Sequence, residues 1–174
     1  MFANNTRAQS STAARRLMKE YRDLTADPLQ DMITAGPISE DNMLEWEALV
    51  QGPEGTPYEG GIFAAKLRFP SDYPLNPFKM TFDPPLLHPN IYPNGDVCIS
   101  ILHAPGDDPM RYETASERWS PVQSVRSVLL SVLSLMHAPN SDSPADVECA
   151  KLYRDDKPEF ERRVRAQVKS LLGI

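Results

Sequence analysis

From Ala14 onward the apolar positions fall three and four apart: Ala14, Leu17, Met18, Tyr21 and Leu24 share one stripe of a helix. Arg15, Lys19 and Arg22 lie on another face. Residues 1–12 are small and polar, and a flexible N-terminus is expected there. The period then changes to two. In Met43–Val50, Leu44, Trp46, Ala48 and Val50 alternate with a face that carries Glu45 and Glu47. In Ile62–Phe69, Phe63, Ala65, Leu67 and Phe69 oppose Lys66 and Arg68, and Lys79–Asp83 turns Met80 and Phe82 inward. A weaker strand signal covers Met32–Ile38. The connections are too short for helical crossovers, so four strands in an antiparallel meander are expected. Between the second and third strands, Pro53, Gly55, Pro57, Gly60 and Gly61 mark a loop.

Pro70, Pro74, Pro77, Pro84, Pro85, Pro89 and Pro93 stiffen an irregular path around the last strand, a suitable place to hold reactive groups. The second half reads as helical. Ser120 is the expected N-cap of a long helix, with Pro121 at its first position and Gln123 completing a capping box. Val122–Met136 is apolar almost all round apart from Ser124, Ser127, Ser131 and Ser134, which predicts a buried central helix with a small-residue stripe. Ser143-Pro144 signals another helix. Asp156 with Glu159 signals a last one, carrying Phe160, Val164, Val168 and Leu171 and stopping at Gly173. The fold class is α+β, in a single domain spanning residues 13–174.

Composition narrows the function. A chain that is 41% hydrophobic and 24% charged is an ordinary globular protein. Its formal net charge of −6 speaks against nucleic acid as a partner. No apolar run is long enough for a direct membrane span. Met1–Ser11 has one basic residue, Arg7, and no apolar centre, so no signal peptide is expected. The two cysteines, Cys98 and Cys149, lie far apart without metal-ligand spacing, which points to no metal and no disulfide, and to a reducing, cytoplasmic setting.

Chemistry concentrates in His88-Pro-Asn-Ile-Tyr-Pro-Asn-Gly-Asp-Val-Cys98. On residue type alone, Cys98 reads either as an inert buried thiol or as a reactive one. His88 reads as a structural hydrogen-bonding group and Asn90 as a turn cap. A cysteine hydrolase would need a histidine base beside Cys98, for which His88, His103 and His137 are available. A non-catalytic binding module would have no use for the thiol.

The order of motifs goes further. His88-Pro89-Asn90, Asn94-Gly95, Cys98 and Trp119-Ser120-Pro121 resemble the active-site signature of ubiquitin-conjugating enzymes. They are preceded by Thr56-Pro57-Tyr58-Glu59-Gly60-Gly61-Ile62-Phe63, Phe69-Pro70 and Asp72-Tyr73-Pro74. The resemblance runs from about Arg15 to the C-terminus. It implies that ubiquitin is received from an activating enzyme as a thioester on Cys98 and passed, with a RING-type ligase, to a lysine amine. No cofactor is implied, since ATP is used upstream by the activating enzyme. Two roles stand for Asn90: stabilising the oxyanion of lysine attack, or holding its own loop. His88 and Pro89 are assigned to loop support. By position, Leu75, Pro121 and Val122 fall on the ligase face, and Arg15, Arg16 and Lys19 on the activating-enzyme face.

Two departures from the common family pattern stand out. Trp119 follows Cys98 by 21 positions, and the extra material forms an acidic, turn-rich insertion at about 103–118. This resembles the subgroup that serves endoplasmic-reticulum-associated degradation. It implies recruitment to the cytosolic face of that membrane, with a membrane-anchoring partner protein. The second departure is Ser143, where many members place an acid near the incoming lysine. Asp107, Asp108 and Asp142 are the candidates to replace it. Phe78 also stands where a second proline is common.

Overall fold

The computed structural model describes residues 3–26, 31–105, 118–141 and 144–174, with side chains from residue 12 onward. The expected architecture is present. Helix α1 (Ala3–Thr25) leads into strands β1 (Ile33–Ser39), β2 (Asn42–Gln51), β3 (Ile62–Arg68) and β4 (Lys79–Phe82). Helices α2 (Val125–His137), α3 (Val147–Asp155) and α4 (Lys157–Leu172) follow. The sheet order is β1-β2-β3-β4 and every pairing is antiparallel, with Ile33 opposite Val50, Val50 opposite Phe63 and Leu67 opposite Met80. Because side chains alternate across a strand, this register puts Ile33, Trp46, Ala48, Val50, Phe63, Ala65, Leu67, Met80 and Phe82 on one buried face. Val125, Val128, Leu129, Val132 and Met136 of α2 join the same core.

The helices differ from expectation in instructive ways. Helical backbone in α1 runs back to Ala3, ahead of the apolar stripe that signals it. Among its described side chains Ala13, Leu17 and Glu20 are buried, while Met18 and Tyr21 are substantially exposed. The core-facing stripe is thus rotated from the apolar one, because the Glu20 carboxylate is buried and hydrogen-bonded.

The second helix starts at Val125, not at Pro121. Ser124 is the N-cap, accepting from Ser127 N–H at 3.2 Å, and the Ser127 hydroxyl accepts from Ser124 N–H at 2.8 Å. Ser120 closes only a turn, through Gln123 N–H. Nor is α2 buried all round: Arg126, Leu130 and Ser134 face outward. Ser127, Ser131 and Ser134 turn their hydroxyls onto carbonyls three or four residues back. Asp146, not Ser143, caps α3 by accepting from Cys149 N–H. The last helix has the expected ends, but Leu171, expected on its apolar face, is exposed. Asp156 caps it, Phe160, Val164 and Val168 are buried, and Gly173 ends it at φ 75°.

Candidate active site

The segment carrying Cys98 is held from three sides. On the β4 side, Val97 N–H donates to Met80 O at 3.0 Å and Phe82 N–H to Gly95 O at 2.8 Å. Thr81 Oγ1 donates to Asp96 Oδ1 at 2.8 Å, so the segment covers the sheet edge. Gly95 is required there: its φ is 99°, and a Cβ would meet Phe82 O at 2.1 Å. From below, His88 is 2% exposed. Its Nδ1 accepts from Asn90 N–H at 2.9 Å, leaving Nε2–H to donate to Leu135 O at 2.7 Å. Burial lowers its pKa to about 4, so the ring stays neutral at physiological pH. On the third side, Pro89 O accepts from Ala145 and Asp146 N–H, tying the segment to the start of α3.

Asn90 is also 2% exposed. Its Nδ2 donates to Asn140 O at 2.7 Å and its Oδ1 accepts from Asn140 N–H at 2.9 Å, which fastens the loop after α2 beside the cysteine. The Asn90 carbonyl accepts from Cys98 N–H at 2.9 Å. One residue therefore fixes both the backbone of the cysteine and the loop facing it.

Cys98 is partly exposed and lies just ahead of a single 3-10 turn, Ser100–Leu102. That turn brings His103 back, placing Nε2 3.7 Å from Sγ. The nearby Tyr92 phenol is held above its ordinary pKa, chiefly by its interaction with Cys98. Neither contact was assigned to thioester chemistry from the sequence. The signal for Tyr92 was the Asn94-Gly95 turn, in which Gly95 N–H donates to Tyr92 O and Tyr92 N–H to Asp96 O, doubling the chain back toward Cys98. Cys149 differs from Cys98: it is 3% exposed, and burial, with the nearby Asp146 charge, pushes its thiol up to about 12.

The expected ligase-face residues are surface groups on two loops. Leu75 is 65% exposed and Val122 88%, with Pro121 also exposed. Trp119 Nε1–H donates to Pro74 O at 2.9 Å and so joins the loops. Phe78 packs on Phe69 and Trp119 and fills the core beneath them. On α1, Arg15 and Lys19 are exposed. Arg16 instead turns inward, donating through one terminal nitrogen to Pro121 O and Gln123 O, each at 2.8 Å. Trp119 N–H donates to His103 O at 3.1 Å, so the acidic insertion leaves and returns at one point. Asp107, Asp108, Asp142 and Ser143 lie outside the described residues. Among the described residues, no helix is long and apolar enough to cross a membrane.

A family model described as ubiquitin-conjugating enzyme matches residues 16–168. The chain belongs to the ubiquitin-conjugating enzyme family. Ubiquitin-conjugating enzyme E2-18 kDa of Schizosaccharomyces pombe is 54% identical over 162 residues, covering 93% of this chain and 97% of the relative. Ubiquitin-conjugating enzyme E2 G2 of Homo sapiens is 54% identical over 165 residues, covering 95% and 99%. Ubiquitin-conjugating enzyme E2 13 of Arabidopsis thaliana is 48% identical over 155 residues, covering 89% and 93%. The protein is a ubiquitin-conjugating enzyme, an acyltransferase working through a cysteine thioester. Its membership implies ubiquitin, an activating enzyme and a ligase as partners.

Proposed function

We propose that Cys98 is the residue that carries ubiquitin. The carrying observation is the contrast between the two thiols. Cys98 is accessible on a segment braced on three sides, whereas Cys149 is buried with a pKa of about 12. A thiol of that pKa is ionised in roughly one molecule in 10⁵ at about pH 7, too rarely to serve as the nucleophile. In loading, the Cys98 thiolate attacks the carbonyl of ubiquitin held on the activating enzyme. A new carbon–sulfur bond forms, and the activating enzyme's cysteine leaves as thiolate. In discharge, a neutral lysine amine attacks the Cys98 thioester and the carbonyl oxygen takes the negative charge. The nitrogen then gives a proton to water, and collapse of the oxyanion breaks the carbon–sulfur bond, leaving the amide and the Cys98 thiolate.

In this reading the Asn90 amide, oriented by Asn140, serves the thioester carbonyl. One Nδ2 hydrogen goes to Asn140 O, and the second is the donor an oxyanion needs. His88, neutral and hydrogen-bonded at both nitrogens, and Pro89 hold this frame in place. Arg15 and Lys19 present positive charge to the activating enzyme, with Arg16 bracing the same helix. Leu75, Pro121 and Val122 form the face for a RING-type ligase. Asp107 and Asp108, with Asp142 and Ser143, serve the acceptor lysine. The long acidic insertion and the likeness to E2 G2 enzymes support a role in endoplasmic-reticulum-associated degradation, at the cytosolic face of that membrane and through an anchoring partner. Incubation with ubiquitin, activating enzyme and ATP tests the loading step. A thiol-sensitive adduct one ubiquitin heavier is expected, and a chain that never forms one refutes the reading.

A further inference from the structure

Glu20 of α1 is a buried carboxylate, and its side-chain bonds lead toward the proposed ligase face. Burying a carboxylate is costly unless its oxygens are well supplied with donors. Glu20 Oε1 accepts from Val125 N–H at 2.7 Å, and Oε2 from the Tyr73 hydroxyl at 2.5 Å and Arg16 Nε–H at 3.1 Å. Arg16 in turn donates to Pro121 O and Gln123 O. The carbonyls it holds are those on either side of Val122. Tyr73 lies two residues before Leu75, and its ring packs 5.7 Å from that of Trp119. An apolar side chain of similar size could fill the space occupied by Glu20, but it could not hold the Tyr73 hydroxyl, the Arg16 guanidinium and Val125 N–H together.

We propose that Glu20 is a positioning residue for ligase recognition: with Arg16 and Tyr73, it presets the loops bearing Leu75 and Val122 in one binding-ready arrangement. This rests on the assignment of Leu75, Pro121 and Val122 to the ligase face. An interface whose loops are already ordered avoids the cost of ordering them on binding, and a population only partly in the competent state binds correspondingly more weakly. Loosening the hub should therefore raise the ligase concentration needed, while leaving Cys98 and its frame alone.

The test uses the 174-residue chain loaded with ubiquitin, free lysine as acceptor, and an isolated RING domain shown to stimulate the parent. Tyr73→Phe keeps the ring and removes only the bond to Glu20, while Glu20→Gln keeps the shape and removes the charge. Both should raise the half-stimulating RING concentration, Tyr73→Phe by roughly tenfold, or ~1.4 kcal/mol. The rate at saturating RING and the rate without RING should stay within about twofold of the parent. A simple loss of folded protein would instead lower both rates together, and that result overturns the proposal. Leu75→Ala is run alongside. If it raises the half-stimulating concentration and neither hub variant does, the positioning role is wrong. If Leu75→Ala itself has no effect, the ligase-face assignment fails and the proposal with it.

Discussion

Replacing Asn90 with Ala removes two things at once, and their magnitudes differ enough to be told apart. The first loss is the pair of hydrogen bonds to Asn140, at 2.7 and 2.9 Å. Neutral bonds of this kind contribute ~1 kcal/mol each, so the fold should lose ~2 kcal/mol. For a domain of this size that lowers Tm by about 4–8 °C. Natural domains have about 5–15 kcal/mol in hand, so under ~1% of the variant should be unfolded at room temperature. Loss of folded protein therefore cannot slow the reaction measurably. The second loss is the remaining amide N–H offered to the oxyanion, worth ~3 kcal/mol, or roughly a hundredfold in rate. The assay is single-turnover discharge of preloaded thioester to free lysine, with loading and Tm measured on the same preparation. Near-normal loading, a modest Tm drop and a discharge rate down about a hundredfold are expected. Discharge within about threefold of the parent, alongside the Tm drop, would refute the oxyanion role and leave Asn90 as a loop fastener.

Three further outcomes follow from the same geometry. The pKa of His88 is near 6.5 in the unfolded chain and about 4 in the fold, so acid favours the unfolded state across that window. Between about pH 7 and pH 5 the parent should lose ~2 kcal/mol that His88→Gln does not lose, measured by urea unfolding, and equal losses would contradict the assignment. Leu75→Ala should weaken RING-stimulated discharge by at least about fivefold at subsaturating ligase, and equal stimulation of variant and parent would remove Leu75 from the interface. Asp107→Asn with Asp108→Asn should slow ubiquitin chain formation without altering loading, most strongly at low pH if the carboxylates also help to remove the lysine proton. Parental chain formation from about pH 6 to 9 would exclude that role.

The sheet was legible because its signal is local: period-two alternation in Met43–Val50 and Ile62–Phe69 sets which face is buried, and the register follows. Asp156 and Gly173 marked α4 correctly because capping chemistry acts within one turn. The start of α2 was misread because two serines compete for it. Ser120-Pro121 carries the stronger local signature, yet Ser124 prevails when the Glu20 carboxylate, 105 residues away, takes Val125 N–H. That contact has no sequence signal, and the same burial rotated the apparent stripe of α1. Around Cys98 the motif order identified the nucleophile candidate and its neighbours His88 and Asn90. It did not reveal that Asn140 would occupy both ends of the Asn90 amide, or that His103 would reach the sulfur. Those depend on two turns and a loop closing on one another in space.

The central claim is that one accessible cysteine, Cys98, carries the ubiquitin thioester, and mapping the adduct in single-cysteine variants tests it most directly. With activating enzyme, ubiquitin and ATP, Cys149→Ser should form a thiol-sensitive adduct as the parent does. Cys98→Ser should form at most an oxyester that survives thiol treatment. A normal thiol-sensitive adduct on Cys98→Ser, or none on a folded Cys149→Ser, would contradict the assignment.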